Sequence, residues 1–205
     1  MDVGVMEKVE VQEEARRVRL LPSDALIIVD VQNDFCPGGA LPVPKGDEVV
    51  DPINSMIPLF SFVVATQDWH PNNHISFRER GGPWPPHCVA GTWGAELHPR
   101  LRAEGISEFV KKGDDPDKEA YSGFDGTGLA DILRSKGVER VFVCGLATDY
   151  CVKATALDAI RNGFKTYVVV DAVRAVDVNP GDGERALEEM RMAGAILLNS
   201  EEISI

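Results

Sequence analysis

Cys151 closes the run Gly145-Leu146-Ala147-Thr148-Asp149-Tyr150-Cys151, which follows the apolar stretch Val141-Phe142-Val143-Cys144 and leads into an amphipathic helical pattern. A thiol at a helix N-terminus faces unpaired backbone N–H groups and the positive end of the helix dipole, and both favour the reactive thiolate. A free cysteine is more often a small buried hydrophobe, so the case for chemistry rests on its company. Asp30 ends the apolar run Ala25–Asp30, and a carboxylate beside a thiol can take its proton and later return it to a leaving group. At a strand end it is equally a turn residue, as Asp34 is equally a loop cap. Lys112, followed by Gly113, could hold Asp30 ionised and add positive potential at the thiol. Lys111 competes for that place, because alternation along a strand sends only one of the two inward.

A second constellation has metal-ligand character. Asp68-Trp69-His70 puts a carboxylate and an imidazole two residues apart, on one side of an extended segment. His87, in Trp84-Pro85-Pro86-His87-Cys88, offers a third donor from a loop stiffened by prolines. An Asp/His/His set leaves coordination positions open for water or substrate, as catalytic sites require. His74 and Glu79 are candidates for a further ligand. Spacing alone fits surface-loop histidines without a metal equally well.

The elements that must carry these residues can be read from periodicity. Ala25–Asp30, Phe62–Ala65, Val141–Cys144, Tyr167–Val170 and Ala195–Leu198 are short, nearly uninterrupted apolar runs, with Glu108–Lys111 a weaker sixth. Such runs suit parallel strands covered on both faces. Helical faces lie between them: Leu129, Ile132 and Leu133; Val152, Ala156, Ala159 and Ile160; Leu187 and Met190. The alternation predicts an α/β three-layer sandwich, Rossmann-like, with a mostly parallel six-stranded sheet and helices on both faces. In such sheets ligands bind beyond the C-terminal strand ends, where Asp30, the segment after Ala65, Lys111/Lys112 and the Cys151 turn all fall. No G-x-G-x-x-G or G-x-x-x-x-G-K-[ST] loop is present, so the nucleotide-binding signatures of related architectures are missing. The Pro- and Gly-rich stretch from about 66 to 107 lacks periodicity, as long functional loops do.

Residues 1–20 read as a charged N-terminal extension, and 21–205 as one domain with a full-sized core. A net charge of −12 argues against nucleic acid as a partner. No apolar run is long enough to span a bilayer and the N-terminus lacks a signal-peptide core, so the expected setting is cytoplasmic, without a membrane partner. Cys36, Cys88, Cys144 and Cys151 form no C-x-x-C pair, which disfavours structural zinc and disulfides. Homo-oligomerisation is left open.

Five segments, in order along the chain, are similar to those of a known family: Val29-Asp30-Val31-Gln32-Asn33-Asp34-Phe35; Asp68-Trp69-His70-Pro71 with His74; Trp84-Pro85-Pro86-His87-Cys88; Lys112-Gly113; and Gly145-x-Ala147-Thr148-Asp149-x-Cys151. The chain resembles the nicotinamidases of the isochorismatase-like cysteine hydrolase superfamily. The last segment alone supports the superfamily, and the D-W-H and W-P-P-H-C pair narrows it. The resemblance implies hydrolysis of nicotinamide to nicotinate and ammonia in NAD salvage, through a thioester on Cys151. It implies a triad of Asp30, Lys112 and Cys151, an oxyanion hole from the N–H groups of Ala147 and Cys151, and a non-proline cis peptide before Ala147. It further implies one divalent metal (zinc first, iron or manganese as alternatives) on Asp68, His70 and His87, with His74 a further candidate, and Phe35 and Trp84 flanking the substrate ring. Other readings are a sister hydrolase acting on isochorismate, a ureido acid or an N-carbamoyl compound, and a non-catalytic binding module.

Overall fold

The computed structural model describes residues 17–205. Among them are eight strands: β1 Val18–Arg19, β2 Asp24–Val29, β3 Phe62–Asp68, β4 Glu108–Lys112, β5 Arg140–Leu146, β6 Lys165–Arg174, β7 Ile196–Leu198 and β8 Ile203–Ser204. The α-helices are α1 Val50–Met56, α2 Leu129–Ser135, α3 Lys153–Arg161 and α4 Asp182–Ala193. The extension expected over residues 1–20 falls mostly outside the described residues. Its end is described, and there β1 pairs in parallel with β8.

Strands β2 to β7 form one all-parallel sheet in the order β4-β3-β2-β5-β6-β7. All six apolar runs become strands, and the weakest of them, at Glu108, becomes an edge strand, where one side needs no cover. Strand β2 is buried at every position, and its alternation divides two cores. Leu26 and Ile28 join α1 residues Val50, Ile53 and Met56 on one face. Ala25, Ile27 and Val29 join Leu129 and Leu133 of α2, Ala156 and Ala159 of α3 and Met190 of α4 on the other. The three layers follow from that division.

Strand order reverses direction between β2 and β5. The chain builds outward through β3 and β4 on one side, then returns to add β5, β6 and β7 on the other. The crevice at such a switch opens beyond the C-terminal ends of the two central strands. Asp30 follows β2, and the turn to Cys151 follows β5. Gly145 lets these strands close up: its φ is +109°, and a Cβ there would lie 2.1 Å from the Val29 carbonyl oxygen. Between β3 and β4 the chain runs through a long loop with only short 3₁₀ turns.

Candidate active site

Lys112 organises the floor of the crevice. In β4 its partner in register is Asp68, the last residue of β3. Alternation sends Lys112 inward and Lys111 outward, where the Lys111 ammonium lies 3.7 Å from the Trp69 ring centre. The wholly buried Lys112 Nζ donates to an Asp68 carboxylate oxygen and to the Ala120 carbonyl (3.1 Å), and lies 3.5 Å from Cys151 Sγ. It is also 2.9 Å from Asp30 Oδ2. One ammonium thus stands among two carboxylates and a thiol whose donor atoms lie within 4.8 Å of one another, filling the place a cation would otherwise take. Burial opposes its charge, but Asp30 and Asp68 outweigh that and hold it firmly protonated.

Asp30 Oδ1 accepts the Thr66 hydroxyl at 2.7 Å. Oδ2 is ion-paired with Lys112, yet no donor is aligned on it, and it is the buried oxygen left without a hydrogen bond among the described residues. Its free lone pair is the acceptor a neighbouring thiol needs. Burial raises the Asp30 carboxyl above the usual range, with Lys112 opposing. Burial likewise raises the Cys151 thiol well above its ordinary value, only partly offset by Lys112. This differs from the sequence-based expectation. Cys151 does sit at the start of a helix, in a wide turn closed by Val152 N–H donating to the Ala147 carbonyl (3.1 Å), but it is buried there beside Asp30 and Asp68, which also disfavour its thiolate. Asp30, Cys151 and Asp68 lie close enough for a proton leaving the thiol to have a buried carboxylate at hand. The peptide joining Leu146 to Ala147 is cis.

Beside Asp30, Lys112 and Cys151 stands a second cluster. Asp68 Oδ2 lies 3.3 Å from His70 Nε2 and 3.9 Å from His87 Nε2. Each histidine has its other nitrogen engaged by a carbonyl: His70 Nδ1 with Gly113 at 2.7 Å and His87 Nδ1 with Pro85 at 2.8 Å. Those contacts place the Nδ1 proton and leave both Nε2 lone pairs facing Asp68, the second-sphere arrangement metal-binding histidines use. Gly113 is required there: with φ at +67°, a Cβ would lie 2.6 Å from the His70 ring. The donor set fits a divalent cation with N/O preference. Burial works against the Asp68 anion, yet with Lys112 the chief counterweight its carboxyl is held well below the usual range.

The two further ligand candidates do not join. His74 stacks on His70 with ring centres 4.0 Å apart, and both its nitrogens are occupied, Nδ1 by Ser76 Oγ (2.7 Å) and Nε2 by the Lys118 carbonyl (2.9 Å). Its role is to hold the His70 ring from behind. Glu79 lies in an exposed 3₁₀ turn, outside the cluster. Asp34 proves to be the loop cap: its carboxylate accepts Cys88 N (2.7 Å) and Ala40 N (2.9 Å), fixing the His87 loop.

Phe35, Trp84, Tyr121, Tyr150, Leu41 and Val176 wall a cavity of about 50 Å³ whose floor is Cys151, Ala147, Asp68, His70 and His87. The Trp84 indole N–H donates to the Tyr121 hydroxyl (3.1 Å), and the Trp84 and Tyr150 rings meet edge to face at 5.1 Å. Sequence reasoning reached Phe35 and Trp84 but not Tyr121 or Tyr150. Tyr121 lies in a loop without periodicity, and Tyr150 is told from its neighbours only by the wide turn that aims it inward. Gln32 was also missed. Its side chain donates to the carbonyls of Asp68 and Ala95 and accepts the Asp68 N–H, all within 2.9 Å, so it locks the backbone of Asp68.

Residues 24–202 match the isochorismatase domain. The chain belongs to the isochorismatase domain family. Its relatives within that family include several nicotinamidases. It is 43% identical to the nicotinamidase of Escherichia coli, covering 86% of this chain and 95% of the relative. The pyrazinamidase of Pyrococcus horikoshii, solved in complex with zinc, shares 55% identity and a TM-score of 0.81 over 87% of this chain and 99% of that one. PnC1 from L. infantum, solved with nicotinate, shares 43% identity and a TM-score of 0.88 over 92% of this chain and 98% of the other.

Proposed function

We infer that this protein is a nicotinamidase, hydrolysing nicotinamide to nicotinate and ammonia, with Asp30, Lys112 and Cys151 as its catalytic triad. The observation that carries the assignment of roles is the meeting of Lys112 Nζ with Asp30, Asp68 and Cys151 beneath a small aromatic cavity. Nicotinamide enters with its ring between Phe35 and Trp84 and its carboxamide over Cys151. Asp30 Oδ2 takes the thiol proton, Lys112 balances the resulting charge, and Sγ attacks the amide carbon. The oxyanion is received by the N–H groups of Ala147 and Cys151, each such donor being worth about 3 kcal/mol. Protonated Asp30 gives its proton to the departing ammonia, then deprotonates the water that hydrolyses the thioester.

Asp68 Oδ2 and the Nε2 atoms of His70 and His87 would hold one divalent metal, zinc first and iron or manganese next on the same donors. When bound, it supplies a Lewis-acid site beside the substrate ring. The reaction would return nicotinamide to NAD salvage in the cytoplasm, where the four free cysteines stay reduced.

Ammonia release from nicotinamide tests this reading, measured before and after chelation and zinc add-back and in Cys151→Ala. Metal-dependent release that disappears in folded Cys151→Ala is expected. No release by zinc-loaded protein would overturn the substrate, and appreciable turnover by Cys151→Ala would overturn the nucleophile.

A further inference from the structure

One acidic residue of the cavity lining has no part in the proposed reaction. Glu119 lines the substrate cavity together with Cys151, Asp68 and His70, and it also lines a second, outer cavity of about 180 Å³ with Asp114, Asp115, Asp125, Lys112 and Lys118. It is exposed at the rim, yet its place is fixed by the residues on either side. The Lys118 carbonyl accepts from His74 Nε2 at 2.9 Å, and the Ala120 carbonyl accepts from Lys112 Nζ at 3.1 Å. Glu119 Oε1 takes the Ala120 N–H (3.2 Å).

The charges facing this cavity are unevenly compensated. Asp68 is paired with Lys112 and faces His70 and His87. Glu119 has no basic side chain within 4 Å among the described residues, and its neighbour Lys118 is turned to Asp115 (3.4 Å). Burial and the Asp68 charge raise its proton affinity, while the Ala120 N–H, His70 and Lys112 oppose them.

The proposed reaction turns a neutral carboxamide into a carboxylate of the same ring and nearly the same shape. The aromatic walls cannot tell the two apart, but a fixed rim anion can. We propose that Glu119 is a specificity-determining residue that disfavours the anionic product, so that nicotinate leaves the cavity while nicotinamide enters unhindered. This deepens the nicotinamidase reading and rests on it.

The test compares, on zinc-loaded protein, the inhibition constant of nicotinate with the KM of nicotinamide. In Glu119→Gln the ratio of Ki to KM should fall about threefold to fivefold, the scale of removing one partly solvated like-charge interaction. Glu119→Asp keeps the charge and should keep the ratio near wild type. Asp125→Asn, which lines only the outer cavity, should also leave it. In wild type, raising salt from about 0.02 M to about 0.5 M should lower the ratio by screening the rim, a readout that needs no variant. An unchanged ratio in Glu119→Gln, or an equal fall in Asp125→Asn, would overturn the proposal. If wild type fails to hydrolyse nicotinamide, the functional reading fails with it, and calorimetric binding of the two pyridines to Glu119→Gln still reports whether the rim discriminates charge.

Discussion

Replacing Lys112 by methionine removes the charge at the centre of the site while keeping most of the side chain's length. In the native protein the buried ammonium is within 3 Å of Asp30 Oδ2 and of Asp68, and it also meets the Ala120 carbonyl. At an effective dielectric of about 20, one unit pair at that range is worth about 4–6 kcal/mol before desolvation. Breaking one partner of a buried pair typically costs about 3–5 kcal/mol, and here two carboxylates lose their counter-charge. Their response to pH gives the prediction a sign. The Asp68 carboxyl is held below its ordinary 3.8 in the native state, so its contribution is present above that value and is lost as pH falls through the folded one. Without Lys112 both carboxyls are pushed upward by burial, and the variant gains stability as pH falls and protons return. The deficit should therefore be about 3–5 kcal/mol near pH 7 and shrink toward about pH 4. Urea unfolding of metal-stripped protein across that range measures it. A cost below about 1 kcal/mol, or a deficit independent of pH, would refute the claim that Lys112 is the counter-ion of this floor.

Other perturbations have defined outcomes. Asp68→Asn or His87→Ala should lose bound zinc, read by metal analysis after dialysis, with circular dichroism unchanged; full zinc occupancy in either would contradict the ligand set. Gly145→Ala forces a Cβ to 2.1 Å from the Val29 carbonyl at a φ of +109°, so a loss of more than about 3 kcal/mol, or no soluble protein, is expected in thermal melts. Gln32→Leu strands the polar groups it now satisfies around Asp68; it should cost about 1–3 kcal/mol and weaken zinc binding, and unchanged zinc affinity would separate Gln32 from the site.

The parts of this molecule legible in its sequence are those set by burial on two faces. Uninterrupted runs such as Ala25–Asp30 admit few alternatives to a parallel strand, and strand order then fixes which residues share an edge. Asp30, Lys112 and Cys151 were findable because each ends or follows such a run. Lys112 was separable from Lys111 by alternation once the strand register was in hand. Tyr121, Tyr150 and Gln32 were not, because each acts from an aperiodic loop or turn whose geometry depends on distant contacts. His74 stayed an open candidate for a related reason: only the tertiary contacts with Ser76 and Lys118 show both its ring nitrogens engaged. The helix end argued for a Cys151 thiolate in the sequence, whereas the burial that opposes it is a tertiary property.

The most direct test of the central claim is intact-mass spectrometry of zinc-loaded protein quenched with acid during turnover of nicotinamide. A transient nicotinoyl adduct that maps to Cys151, and is absent from Cys151→Ala, is predicted. Steady ammonia release with no adduct on Cys151 at any quench time, continuing in Cys151→Ala, would contradict the covalent account.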